Sequence, residues 1–144
     1  MIAAALCISV GTQLVRLPVT AFTLQWQHTV EKVLWEEDYL IAGDWLLLSR
    51  ARIRGSGAGM EPPPDAVRDG AAWSYRPANR WYRSIELARS AVGADYRLCA
   101  DRRCRSLEEI VPRGVTTLAA CDGGDRPFAA EPALRPGRGS QRSH

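Results

Sequence analysis

From Phe22 onward apolar and polar side chains alternate. Phe22, Leu24, Trp26, His28 and Val30 share one face of an extended chain, and Thr23, Gln25, Gln27 and Thr29 share the other. A period of two marks a half-buried strand. The pattern blurs over residues 30–34, where Val30, Val33, Leu34 and Glu37 also suit one helical turn. It resumes with Trp35, Glu37, Tyr39 and Ile41 against Glu36, Asp38 and Leu40. A four-residue loop over 31–34 sets Val30 opposite Trp35, His28 opposite Glu37, Trp26 opposite Tyr39 and Leu24 opposite Ile41. That register matches the apolar faces, and a slip of one residue would spoil it. Gly43-Asp44 predicts a two-residue turn into a strand over 45–54, with Tyr39 opposite Leu48 and Glu37 opposite Arg50. His28, Glu37 and Arg50 then form one row across three strands, flanked by Trp26 and Tyr39. Ionisable groups on an otherwise apolar face must be paired and hydrogen-bonded, or their protonation changes.

The flanking segments read as more strands. Residues 2–10 are apolar but too short to span a bilayer, and they lack a basic start and a small-residue cleavage site. They predict a strand from about Leu6, with residues 1–5 left from an export segment and a turn at Gly11-Thr12. After Arg54 comes Gly55-Ser56-Gly57-Ala58-Gly59-Met60. Its glycines permit close backbone approach, and successive N–H groups there can cradle an anion. Gly57 and Gly59 therefore join the candidate ligand set, against the plainer reading of a tight crossover between sheet layers. Residues 61–65, with three consecutive prolines, force an extended connector. Short strands follow at 73–75 and 81–89. Residues 96–99 and 104–107 read as a hairpin around the loop 100–103, then one helical turn at 107–110 and a last strand at 115–120. Beyond 121, Gly, Pro, Arg, Ala and Ser dominate, and residues 122–144 are expected to be disordered. The expectation is a single domain over 6–121: an all-β fold, an antiparallel β-sandwich or partly open barrel of about seven to nine strands.

Composition adds little to that picture. The chain has 144 residues, 46% hydrophobic and 24% charged, as a single globular domain does. Its net charge of +3 comes from arginines spread along the chain and from Lys32, a distribution that does not point to nucleic acid. No stretch is long enough for an integral membrane span. Cys99 and Cys104 flank the 100–103 loop and suit a cross-strand disulfide if their Cα atoms lie roughly 4.4–6.8 Å apart. Neither a zinc pattern nor a redox C-x-x-C is present. A disulfide implies an oxidising compartment, the periplasm or cell envelope; two reduced thiols in a cytosolic protein are the alternative. Cys7 and Cys121 can pair only if their outer strands are neighbours.

The candidate ligand-binding residues are thus His28, Glu37, Arg50, Trp26, Tyr39, Gly57 and Gly59, and a small anionic ligand fits them. No cofactor or metal is assigned, because Glu36 and Glu37 point to opposite faces and only one can join His28. A general base at His28, oriented by Glu37, is geometrically possible. No nucleophile accompanies it, since Ser49 lies on the other face. A structural pair tying two strands competes with both readings.

The run Trp26-Gln27-His28-Thr29-Val30-Glu31-Lys32, then Trp35-Glu36-Glu37, then Gly57-Ala58-Gly59-Met60 resembles the domain-of-unknown-function family eighteen-fifty. Members read Trp or Tyr, any residue, His-Ser-Val-Glu-Lys, a glutamate pair and Gly-Ala-Gly; Thr29 keeps the hydroxyl of the usual serine. The resemblance implies a small exported protein encoded beside TRAP-type transporters, particularly the TAXI-type substrate-binding protein and its fused permease. It carries over no catalytic residue. Two functions follow as expectations: a binding or accessory module of a TRAP-type transport system, or a small hydrolase or metal-dependent enzyme centred on His28 and Glu37.

Overall fold

Short turns between alternating runs produce hairpins, and hairpins account for most of this chain. The computed structural model describes residues 4–27, 33–54, 65–69, 72–78 and 80–122. It contains β1 (Ala4–Val10), β2 (Gln13–Leu17), β3 (Ala21–Gln27), β4 (Leu34–Ala42), β5 (Trp45–Arg54), β6 (Val67–Asp69), β7 (Ala72–Tyr75), β8 (Trp81–Tyr82), β9 (Ser84–Leu87), β10 (Arg97–Ala100), β11 (Arg103–Ser106) and β12 (Thr116–Asp122). A single 3₁₀ turn, Leu107–Glu109, follows β11. β1 starts at Ala4, two residues ahead of the expected start. The tail expected to be disordered lies outside the described residues beyond Asp122.

The strands form two antiparallel sheets and no closed barrel. The smaller has the order β2-β1-β12-β9, the larger β11-β10-β3-β4-β5-β7-β6, with β8 also on β5. The expected all-β antiparallel architecture is present. The strand number exceeds seven to nine because the tally includes pieces as short as β6 and β8, of three and two residues. Leu6, Ile8 and Leu118 of the smaller sheet meet Leu24, Tyr39, Leu46 and Leu48 of the larger in one core. Each fully buried leucine or isoleucine contributes about 1.5–3 kcal/mol.

Gly11 and Gly43 take positive φ, 58° and 62°, in the two-residue turns that close β1–β2 and β4–β5. The β10–β11 connection is tighter than the four-residue loop expected. Ala100 pairs with Arg103, and Asp101 and Arg102 alone make the turn, with φ of 52° and 67°. Asp tolerates that region; for Arg102 it costs about 1 kcal/mol.

Both pairs of cysteines are disulfide-bonded. Cys99 and Cys104 oppose one another one step in from that turn. Their Cα separation of 4.0 Å is below the expected range. Cys7–Cys121 spans 5.9 Å between the adjacent strands β1 and β12.

One ion pair is sealed inside the fold. The side chains of Arg89 and Asp95 are 0% and 1% exposed. Arg89 Nε and Nη2 donate to the two Asp95 oxygens at 3.0 and 2.6 Å. Its other donors go to the Pro112 and Val111 carbonyls and to Thr116 Oγ1. The Tyr96 amide donates to Asp95 as well. Such satisfaction is what permits a buried charge, and it ties the 89–96 connection to the segment leading into β12.

Candidate functional site

The β3–β4 hairpin carries Trp26, Glu37 and Tyr39, and its register differs from the expected one. Trp26 pairs with Trp35, Leu24 with Glu37 and Phe22 with Tyr39. The pairing has slipped by four residues, an even number, so each side chain keeps its face. Alternation specifies register only to within steps of two. Ring packing and polar pairing settle the rest. Trp26 stacks on Trp35 at 6.1 Å and Phe22 on Tyr39 at 5.0 Å, while Gln25 meets Glu36 and Thr23 meets Asp38.

A second departure lies in the β4–β5 hairpin. Ala42 pairs with Trp45 and Tyr39 with Leu48, as expected, but the register shifts between Asp38 and Tyr39. This bulge sets Asp38 opposite Arg50 and Glu37 opposite Ala51. A bulge inserts one unpaired residue and re-aims everything beyond it. Arg50 therefore lies on the outer, solvent-facing side of the sheet, away from Glu37. The expected row of His28, Glu37 and Arg50 does not form. His28, Gly57 and Gly59 lie outside the described residues.

Three of the candidates do share the core-facing side. Trp26, Glu37 and Tyr39 are 7%, 4% and 1% exposed. Tyr39 Oη donates to Glu37 Oε1 at 2.6 Å. Tyr96 of the following segment packs its ring 5.8 Å from that of Trp26. Glu37 is thus a carboxylate held inside an aromatic layer. Among the described residues no three His, Cys, Asp or Glu side chains come together as metal ligands do.

The outer face carries a polar network. Glu36, only 6% exposed, accepts from Gln25 Nε2 at 2.6 Å, Arg52 Nε at 3.0 Å and Arg54 Nε at 2.7 Å. Arg52 also forks onto both oxygens of Asp38, with Nη2 2.8 Å from Oδ1. Thr23 Oγ1 donates to the same Oδ1 at 2.7 Å. At the bulge, Ser49 Oγ donates to the Asp38 carbonyl. Burial alone would raise the Glu36 carboxyl, but hydrogen bonds from Arg54, Arg52 and Gln25 outweigh it and hold the group below its ordinary value. Burial likewise opposes ionisation of Asp38; hydrogen bonds from Arg52 and Thr23, and the charges of Arg52 and Arg50, bring it below its ordinary value. The bond to Asp38 foremost, against burial and with Glu36 assisting, raises Arg52.

Two open grooves flank this network. One, of about 550 Å³, runs past Thr23, Asp38, Leu40, Ser49, Arg52 and Arg102. The other, of about 500 Å³, lies between Arg50, Asp65, Arg68, Ser74, Tyr75 and Arg76. Of the described sequence-expected candidates, Tyr39 borders the first groove and Arg50 the second. The network itself was not anticipated from sequence. Its signal was available in acids at 36 and 38 facing arginines at 50, 52 and 54, every second residue on adjoining strands.

No curated protein and no solved structure matches the chain. A family profile does match, over residues 22–107, and its description is Domain of unknown function (DUF1850). The matched span begins at the first core residue of β3, takes in both hairpins that build the network and ends where the 3₁₀ turn starts. Since it covers more than half of the sequence, this chain belongs to the DUF1850 family.

Proposed function

We infer that this domain is a binding or accessory module of the cell envelope that works beside a TRAP-type (TAXI) transport system. The observation that carries the binding role is the outer face of the larger sheet. Its carboxylate–arginine network fixes long side chains beside two open grooves, a surface pre-organised to receive a partner or a small ligand. The paired cysteines support an oxidising compartment. No helix of the described residues is long and apolar enough to cross a membrane. The transport setting rests on the resemblance at Trp26–Lys32 and Trp35–Glu37. Glu37 is closed off from solvent and engaged by Tyr39, which favours a structural role for that group over hydrolysis there.

The test is direct binding between the purified chain and a TAXI-type substrate-binding protein of the same organism, followed by interferometry. Saturable binding that weakens when Arg52 is replaced by Gln supports the accessory role. No binding to that protein or to its permease in detergent overturns it.

A further inference from the structure

We propose that the groove between β5 and β7 is an oxyanion-binding site, with Arg50 and Arg76 as its two cationic walls. This rests on the reading of the domain as a binding module and is independent of the transporter partner. The last paired residues of β5 and β7 at this end are Ala51 and Tyr75. One step further, Arg50 and Arg76 come level on neighbouring strands and line the same groove. Like charges level on adjacent strands repel, so the arrangement needs a counter-charge.

The obvious carboxylate is already engaged. Asp38 sits opposite Arg50, but Arg52 occupies both its oxygens and Thr23 takes one of them again. Neither Arg50 nor Arg76 forms an ion pair with a carboxylate among the described residues. Asp65 is the one described acid lining this groove, against three arginines. The third, Arg68, is set over the Trp73 ring with its guanidinium carbon 5.4 Å from the centroid. Stacking of this kind orients the planar fork. Ser74, two residues before Arg76, adds a hydroxyl to the groove lining. The two guanidinium groups of Arg50 and Arg76 beside an open cavity suit a carboxylate or phosphate, which guanidinium binds through paired hydrogen bonds. The shared chemistry is a small multivalent oxyanion.

The experiment titrates the full chain, at low ionic strength, with inorganic phosphate and separately with succinate, following backbone amide shifts. Shifts centred on Arg50, Ser74 and Arg76 are expected. Arg50→Gln and Arg76→Gln should each weaken binding by about tenfold, as loss of one charge-assisted pair does. Arg105→Gln, on the far edge strand β11, should titrate like the parent. Saturation by phosphate alone assigns a phosphate ligand, and saturation by succinate alone a carboxylate. Should Arg50→Gln fail to fold, Arg76→Gln carries the test, because its exposed side chain holds no ion pair among the described residues. Shifts spread over all exposed arginines, or unchanged affinity in Arg76→Gln, overturn the site. Anion binding without any transporter component keeps the groove and retires the partnership; partner binding without an anion does the reverse.

Discussion

Arg89 shows how a single side chain can hold two connections together. It offers five N–H donors, and each has an acceptor in Asp95, Pro112, Val111 or Thr116. Arg89→Ala removes the cation and leaves the Asp95 carboxylate inside the protein. The expected cost is about 3–5 kcal/mol in denaturant unfolding. The double variant Arg89→Met, Asp95→Leu should recover a large part of that loss, since it removes both charges together. Equal stability of Arg89→Ala and parent would refute the role. Nothing in the sequence announces this pair. Asp95 reads as a turn residue, and the carbonyls that complete the site arrive from 111 and 112 only once the chain has folded. The Glu37–Tyr39 bond is the opposite case, because residues two apart in a strand always share a face.

At the scale of the hairpin, faces were legible and registers were not. Period two assigned Phe22, Leu24, Trp26, Glu37 and Tyr39 to the core side, where they lie. It could not choose among registers two or four residues apart, which the stacked ring pairs decide. The bulge at Ser49 was equally hidden, since one extra residue in a strand leaves no compositional mark. The hairpin's outer network should also give the domain an acid-sensitive stability. Glu36 and Asp38 are held below their ordinary values of 4.5 and 3.8 in the folded state. A carboxyl lowered by folding adds stability above its ordinary value, and that contribution is lost as pH falls through the lowered one. Urea unfolding should therefore show stability flat down to about pH 5 and declining below it. The double variant Glu36→Gln, Asp38→Asn should be less stable at neutral pH and show a shallower acid decline. An unchanged slope would remove the network as its source.

For the whole molecule the two disulfides do unequal work. Cys99–Cys104 closes five residues of sequence separation and Cys7–Cys121 closes 114. Loop-closure entropy assigns about 2 kcal/mol to the short bridge and about 5 kcal/mol to the long one. Replacing Cys7 and Cys121 by Ser should lower the unfolding midpoint well beyond the effect of replacing Cys99 and Cys104; equal effects would refute that account. The long bridge also joins the strands that make the centre of the smaller sheet, β1 and β12. The order of the cysteines along the chain then constrains how the molecule is made. The native bonds are nested, with 99–104 enclosed by 7–121. A chain emerging from its N-terminus offers Cys7 first and Cys99 second, and an oxidant that joins cysteines in order of appearance makes Cys7–Cys99. That product takes Cys99 from its hairpin partner and fastens β1 to the wrong sheet. Maturation is therefore a race between closure of the β10–β11 hairpin and premature oxidation of Cys7, and chains that lose it need a disulfide isomerase to recover.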